Sequence, residues 1–149
     1  MSMPKEAFPS MAAHFAREKH KDQLDDNGLS YFHTHINIMG NAIGYITDDP
    51  EIIAATYLHD TIEDTDTTYD ELVRVFNKRI ADLVMEVTQE GQKDEYGYYF
   101  PRLKSKEAIL IKLIDRASNV SRMSSWDKKR QEQYLKRTKF WKDGSDLNR

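Results

Sequence analysis

Between residues 57 and 65 the chain reads YLHDTIEDT. One imidazole and three carboxylates (His59, Asp60, Glu63 and Asp64) fall within six positions, directly after the apolar run IIAATYL. An adjacent His-Asp pair can offer one nitrogen and one oxygen to a single cation, a mixed donor set that suits Mn, Fe, Zn or Mg. Glu63 and Asp64, one turn further on, would then be placed to work on a water at that cation. Residues four apart share a helix face, so a helix continuing through the segment would stack His59 over Glu63 and Asp60 over Asp64. A bare His-Asp dipeptide is more often an acidic helix end than a ligand pair. Here, however, the acid gathers where a helix C-terminus disfavours negative charge.

Two other stretches change the balance. In YFHTHINIM (31–39), His33 and His35 precede an apolar helical pattern. In KLIDRASNV (112–120), Asp115 interrupts the most regular apolar helix of the chain. Lys112, Asp115, Asn119 and Arg122 recur at helical spacing and form one polar stripe beside the expected core face. Singly, each of these features is ordinary. Together, an upstream histidine, a His-Asp pair and a downstream aspartate supply four ligands of compatible type.

The elements that must position these groups read as helices. Apolar residues recur mostly at helical spacing, and six glycines and four prolines leave few breaks in 149 residues. The pattern predicts helices over 8–24 (Met11, Ala12 and Phe15 inward) and 33–46 (Ile36, Met39, Ile43 and Ile46 inward). A third starts at Pro50 behind Asp48-Asp49. Thr68 to Glu71 fits a capping box ahead of Leu72, Val73 and Phe76. Ile80, Leu83, Val84 and Val87 follow as another amphipathic segment. The longest helix is expected over 106–123, with Leu110, Leu113, Ile114, Ala117 and Val120 on one face. A turn is expected at 25–28 and the longest loop at 91–97. The aromatic group Tyr96, Tyr98, Tyr99 and Phe100 is expected in the core. The fold class is therefore all-α, a single helical domain over 1–149, with a motif-bearing core at about 13–123 and a closing helix at about 126–142.

Composition narrows the functions. A net charge of −3 argues against a general nucleic-acid binder, which would show a basic face. The chain has no cysteine, hence no disulfide or thiolate metal site, which fits a cytoplasmic protein. The aliphatic run AILI (108–111) is followed directly by Lys112, so no membrane span is expected. An anionic small-molecule partner is compatible with this charge, because clustered Lys and Arg can serve one pocket.

His35, His59-Asp60 and Asp115 in this order resemble the H…HD…D signature of HD-domain phosphohydrolases. More narrowly, AREKHKDQ (16–23), YFHTH (31–35), LHDTIEDTDTT (58–68), VMEVT (84–88) and KLIDRASNV resemble the hydrolase domain of RelA/SpoT proteins and the stand-alone small alarmone hydrolases, the metazoan SpoT homologue among them. The resemblance implies an all-α HD helical bundle, one Mn²⁺ or another divalent ion, and removal of pyrophosphate from the 3′ position of guanosine tetra- and pentaphosphate. It makes His35, His59, Asp60 and Asp115 the metal ligands, with His33 the alternative to His35. Glu63 and Asp64 become the catalytic pair, and Asn119 a contact to the nucleotide. Lys112 and Arg122 are the candidates to offset diphosphate charge. One departure stands out: where the family carries an Arg-Lys pair that helps hold the base, Gln23 is followed here by Leu24-Asp25-Asp26. The alternative is therefore an HD phosphatase acting on ppApp, NADPH or a nucleoside monophosphate.

Overall fold

The computed structural model describes residues 3–89, 93–94, 97–98, 100 and 102–138, without the side chains of 93, 94, 97, 98 and 137. The chain is all-α: α1 (Phe8–Lys19), α2 (Asn37–Ile43), α3 (Pro50–Leu58), α4 (Thr61–Asp64), α5 (Tyr69–Val75), α6 (Lys78–Glu86), α7 (Lys106–Ser121) and α8 (Lys128–Arg137). Within the expected loop, β1 (Lys93–Asp94) and β2 (Gly97–Tyr98) pair as a two-residue antiparallel ladder. No helix among the described residues is long and apolar enough to cross a membrane.

The third helix lies at the centre. Ile52, Ala54, Ala55, Tyr57 and Leu58 are all buried, so α3 is apolar on nearly every side, the pattern of a helix enclosed by others. Asp49 caps its start, accepting from the Glu51 and Ile52 amides, with Pro50 in the first turn. Around it pack α1 through Ala12 and Ala16, α2 through Met39 and Ile43, α6 through Ile80 and Val84, and α7 through Ala108 and Ile111. Gly40 sits flat against the Tyr57 ring, and a Cβ there would overlap the ring atoms. Gly40→Ala is expected to destabilise the fold by about 1–3 kcal/mol, the usual cost of overpacking, measurable by urea denaturation.

Several expectations are corrected in detail. The first helix stops at Lys19 instead of running to 24, because His20 leaves helical geometry and the chain turns. Ile46 is 57% exposed, since α2 ends at Ile43 and both Ile46 and Thr47 fold back onto the Ile43 carbonyl. On α7 the buried positions are Ala108, Ile111 and Ser118; Leu113 is 49% exposed and Ala117 is also exposed. The inward stripe of α7 thus passes through Asp115. Thr68 accepts from the Glu71 amide as a cap. The Glu71 carboxylate faces Lys19 at 3.9 Å, so the second half of the box goes elsewhere. Phe100 is half-buried on a cavity wall, not in the core. Tyr96, Tyr99 and the Tyr98 side chain lie outside the described residues, as does the chain beyond 138.

Two features aim the site. Residues Phe32–Ile36 form a π-helical segment, closed by the Asn37 amide on the Phe32 carbonyl, immediately ahead of α2. Such wide turns rotate the side chains that follow and occur often at functional sites. At the other side, Glu86 at the end of α6 accepts from the Lys104 and Ser105 amides and the Ser105 hydroxyl. Ser105 in turn caps α7. That cross-link sets where α7 presents Asp115.

Candidate active site

Four side chains from three places converge. His35 Nε2 lies 3.0 Å from Asp115 Oδ1 and 4.0 Å from Asp60 Oδ2. His59 Nε2 lies 3.0 Å from Asp60 Oδ2 and 3.6 Å from Asp115 Oδ1. Both imidazoles are buried, and neither Nε2 has a hydrogen-bond partner. His35, His59 and Asp115 each offer one ligand atom within 4.8 Å of the others. His33 is exposed, its ring against Phe32.

The local fold prepares these lone pairs. The chain does not continue helically from His59 to Asp64, as stacking of His59 over Glu63 would require. It breaks at Asp60 (φ −102°, ψ 0°) before the short α4. The break is stabilised by side chains that satisfy the last carbonyls of α3: His59 Nδ1 donates to Thr56 O at 2.8 Å and Thr61 Oγ1 to Leu58 O at 2.7 Å. With Nδ1 donating to Thr56, Nε2 is the nitrogen that His59 can offer to a metal. His35 Nδ1 has Ser118 Oγ at 2.8 Å, a hydroxyl able to donate or accept. The Arg122 Nη2 lies 3.0 Å from that Nδ1 and donates at 2.8 Å to Asn119 Oδ1. Asp60 accepts a 2.5 Å hydrogen bond from Tyr31, whose phenol burial and the neighbouring Asp60 charge keep protonated.

The electrostatics follow from crowding. Burial opposes charge on His59, but Asp60 and Asp115 outweigh it and raise its pKa well above the ordinary range. Burial would raise Asp115, yet Lys112, His35 and His59 hold its carboxyl well below that of an exposed aspartate. Lys112 donates to Asp115 Oδ2 at 2.8 Å and lies 4.1 Å from the Phe100 ring centre. Beside this cluster, burial and the Asp60 charge push Glu63 up to about 7. Glu63 accepts from the Gln89 amide at 2.6 Å. Asp64 is raised by the same two causes and accepts from Gln23 at 3.2 Å.

The carboxylates open onto a cavity of about 200 Å³ that includes Asp60, Glu63, Lys112 and Asp115. A second, of about 280 Å³, is lined by Gln23, Asp25, Asp26, Arg122 and Trp126. Tyr31, Asn119 and Tyr134 border both, so the two form one two-part cleft. The acidic turn beside the second part is not bare. Asp25 accepts from the Asn27 and Leu29 amides around Gly28 (φ 78°), and Asp26 pairs with Arg130 at 2.5 Å. Arg130 in turn covers the Trp126 ring at 3.8 Å.

Sequence reasoning did not single out Tyr31, Thr56, Ser118 or Tyr134. Their roles depend on the π-helical turn, the break at Asp60 and the docking of α8, none of which has a strong one-residue signal. Gln23 and His20 were visible only as part of AREKHKDQ.

The donor set fits a divalent ion: two buried imidazole nitrogens without hydrogen bonds face two carboxylates, a nitrogen and oxygen mixture suited to first-row metals. Tyr31→Phe would leave Asp60 without its phenolic donor and is expected to weaken divalent-ion affinity about 10–100-fold, as read by titration calorimetry.

Comparison with known proteins agrees with this geometry. An HD domain family model matches residues 12–140. A guanosine-3′,5′-bis(diphosphate) 3′-pyrophosphohydrolase of Aquifex aeolicus is 35% identical over 135 residues, covering 85% of this chain and 19% of that protein. The Danio rerio protein of the same name, MESH1, is 34% identical and covers 81% of this chain and 74% of its own. The chain thus spans about a fifth of the first relative's length and about three quarters of the second's. A solved structure of a metazoan ortholog of SpoT, described as hydrolysing ppGpp, superposes with a TM-score of 0.72 at 27% identity, covering 91% of this chain and 83% of that one. The chain belongs to the HD domain family of metal-dependent phosphohydrolases.

Proposed function

We propose that this chain hydrolyses the 3′-diphosphate of guanosine tetra- and pentaphosphate, with Mn²⁺ held by His35, His59, Asp60 and Asp115. The observation that carries the reading is the pair of buried, unpartnered Nε2 atoms facing two carboxylates, with Glu63 on the wall of the adjoining cleft. The names of its relatives point to the same substrate.

A divalent ion in this cage supplies Lewis-acid chemistry, acidifying water and offsetting charge on phosphoryl oxygens. The remaining work falls to the chain. Glu63, as a carboxylate, takes the proton of the attacking water, and a pKa near neutrality suits a general base. Asp64 orients that water. Attack on the phosphorus bonded to the 3′ oxygen breaks the P–O3′ bond and releases pyrophosphate. Lys112, held in the cavity wall by Asp115, offsets diphosphate charge. Asn119, on the border of both parts of the cleft, contacts the nucleotide between its phosphates and its base. Arg122 acts from behind, fixing Asn119. A cytoplasmic setting, where such nucleotides are found, fits the cysteine-free composition.

The test compares kcat/KM for ppGpp, ppApp and NADPH with Mn²⁺ and with chelator. Preference for ppGpp, abolished by chelator and restored by Mn²⁺, is expected. A preference for NADPH with orthophosphate release would move the assignment to a phosphomonoesterase.

A further inference from the structure

We propose that His20 and Gln23 are positioning residues that hold Asp64 in its working orientation. The inference rests on the reading of Asp64 given above and extends it to groups outside the cation cage. Gln23 Nε2 lies 3.2 Å from Asp64 Oδ2, and Gln23 Oε1 lies 2.7 Å from His20 Nδ1. A carboxylate only accepts, so the amide must direct its NH₂ at Asp64 and its oxygen at His20. The oxygen also only accepts, so Nδ1 of His20 carries the proton. The direction of the whole chain, His20 to Gln23 to Asp64, is thereby fixed.

The backbone makes the arrangement rigid. His20 closes α1, its amide on the Ala16 carbonyl, and is 1% exposed. The Gln23 amide returns to the His20 carbonyl at 2.9 Å, so both side chains belong to one tight turn. The Gln23 carbonyl accepts from the Tyr31 amide at 2.9 Å, and Tyr31 donates its hydroxyl to Asp60. One segment, 20–31, therefore braces Asp64 through Gln23 and Asp60 through Tyr31. Lys19, next to His20, bonds Asp66 at 2.8 Å and ties the same end of α1 to the chain just past Asp64. A glutamine would serve Asp64 without help if it were merely a surface partner. Burying a histidine behind it, with Nε2 left unpartnered, has a cost that makes sense when the amide must not rotate.

The experiment measures kcat and KM for ppGpp in the full chain carrying Gln23→Leu, His20→Leu, His20→Asn, Asp64→Asn and the Gln23→Leu/Asp64→Asn pair. Gln23→Leu is expected to lower kcat about 10–100-fold with KM unchanged, the range for an outer partner of a working group. His20→Asn keeps a donor where Nδ1 stood and should recover most of the kcat that His20→Leu loses. Gln23 is only half-buried, so its variant answers even if His20→Leu fails to fold, which circular dichroism would reveal. In the pair, Gln23→Leu should add nothing to Asp64→Asn. An undiminished second loss, or a change confined to KM, would overturn the positioning role while leaving Asp64 catalytic. Full activity of Asp64→Asn would overturn the reading of Asp64 itself, and the relay with it.

Discussion

Asp115→Asn is expected to lower ppGpp hydrolysis by more than about 100-fold and to leave a protein that no longer retains one divalent ion per chain through gel filtration. Loss of an outer partner of a metal ligand already costs about 10–100-fold, and Asp115 stands closer than that. Its Oδ1 is within reach of both unpartnered Nε2 atoms, and its Oδ2 takes the Lys112 ammonium. The amide keeps the size and one acceptor but removes the charge that would balance a dication. It also leaves Lys112 without its ion-pair partner at a nearly buried position, and breaking such pairs costs about 3–5 kcal/mol. Thermal melting and metal content must therefore be read together. Folded protein without metal and without activity is the expected result. A folded variant that keeps both would reduce Asp115 to a structural partner of Lys112.

Glu63→Gln should act differently: a loss of about 10²–10⁴ in kcat with metal content unchanged. Its pH dependence adds a sign. A general base works ionised, and the Glu63 carboxyl is pushed up to about 7 by burial and by Asp60. The active form is present above that pH and is lost below it, so kcat/KM should fall about tenfold per unit on the acid side. A cation in the neighbouring cage favours the ionised form, which places this limb at or below about 7. The residual activity of Glu63→Gln should lack the limb. Stopped-assay profiles of the two proteins with saturating Mn²⁺ decide the matter.

Much of the architecture was legible because helical periodicity is strong in this chain. The start of α3 followed from Asp49-Pro50 and the α6 core from Ile80, Leu83 and Val84, while residue type and order pointed to an upstream histidine, His59-Asp60 and Asp115, and only the family resemblance chose His35 over His33. The reading failed where one face had to be chosen over another. On α7, Leu113 and Ala117 continue the apolar spacing, yet the inward line runs through Ser118 and Asp115, because the site needs polar groups there. Ile46 was misplaced since an apolar residue one turn past a helix end looks like a continuation. The stacking of His59 over Glu63 was an artefact of assuming an unbroken helix. The break at Asp60 is made by side-chain bonds from His59 and Thr61 to α3 carbonyls, which no local propensity announces. The acidic turn after Gln23 carried a similar lesson: Asp25 caps its own loop and Asp26 meets Arg130, 104 residues away in sequence.

The most direct test of the central claim is the identity of the products. Purified protein with Mn²⁺ and ppGpp would be followed by anion-exchange chromatography, beside a Glu63→Ala/Asp64→Ala control. GDP and pyrophosphate in equal amounts, absent from the control, are the result this account predicts. Orthophosphate in place of pyrophosphate, or ppGpp left intact by folded, Mn²⁺-loaded protein, would contradict it.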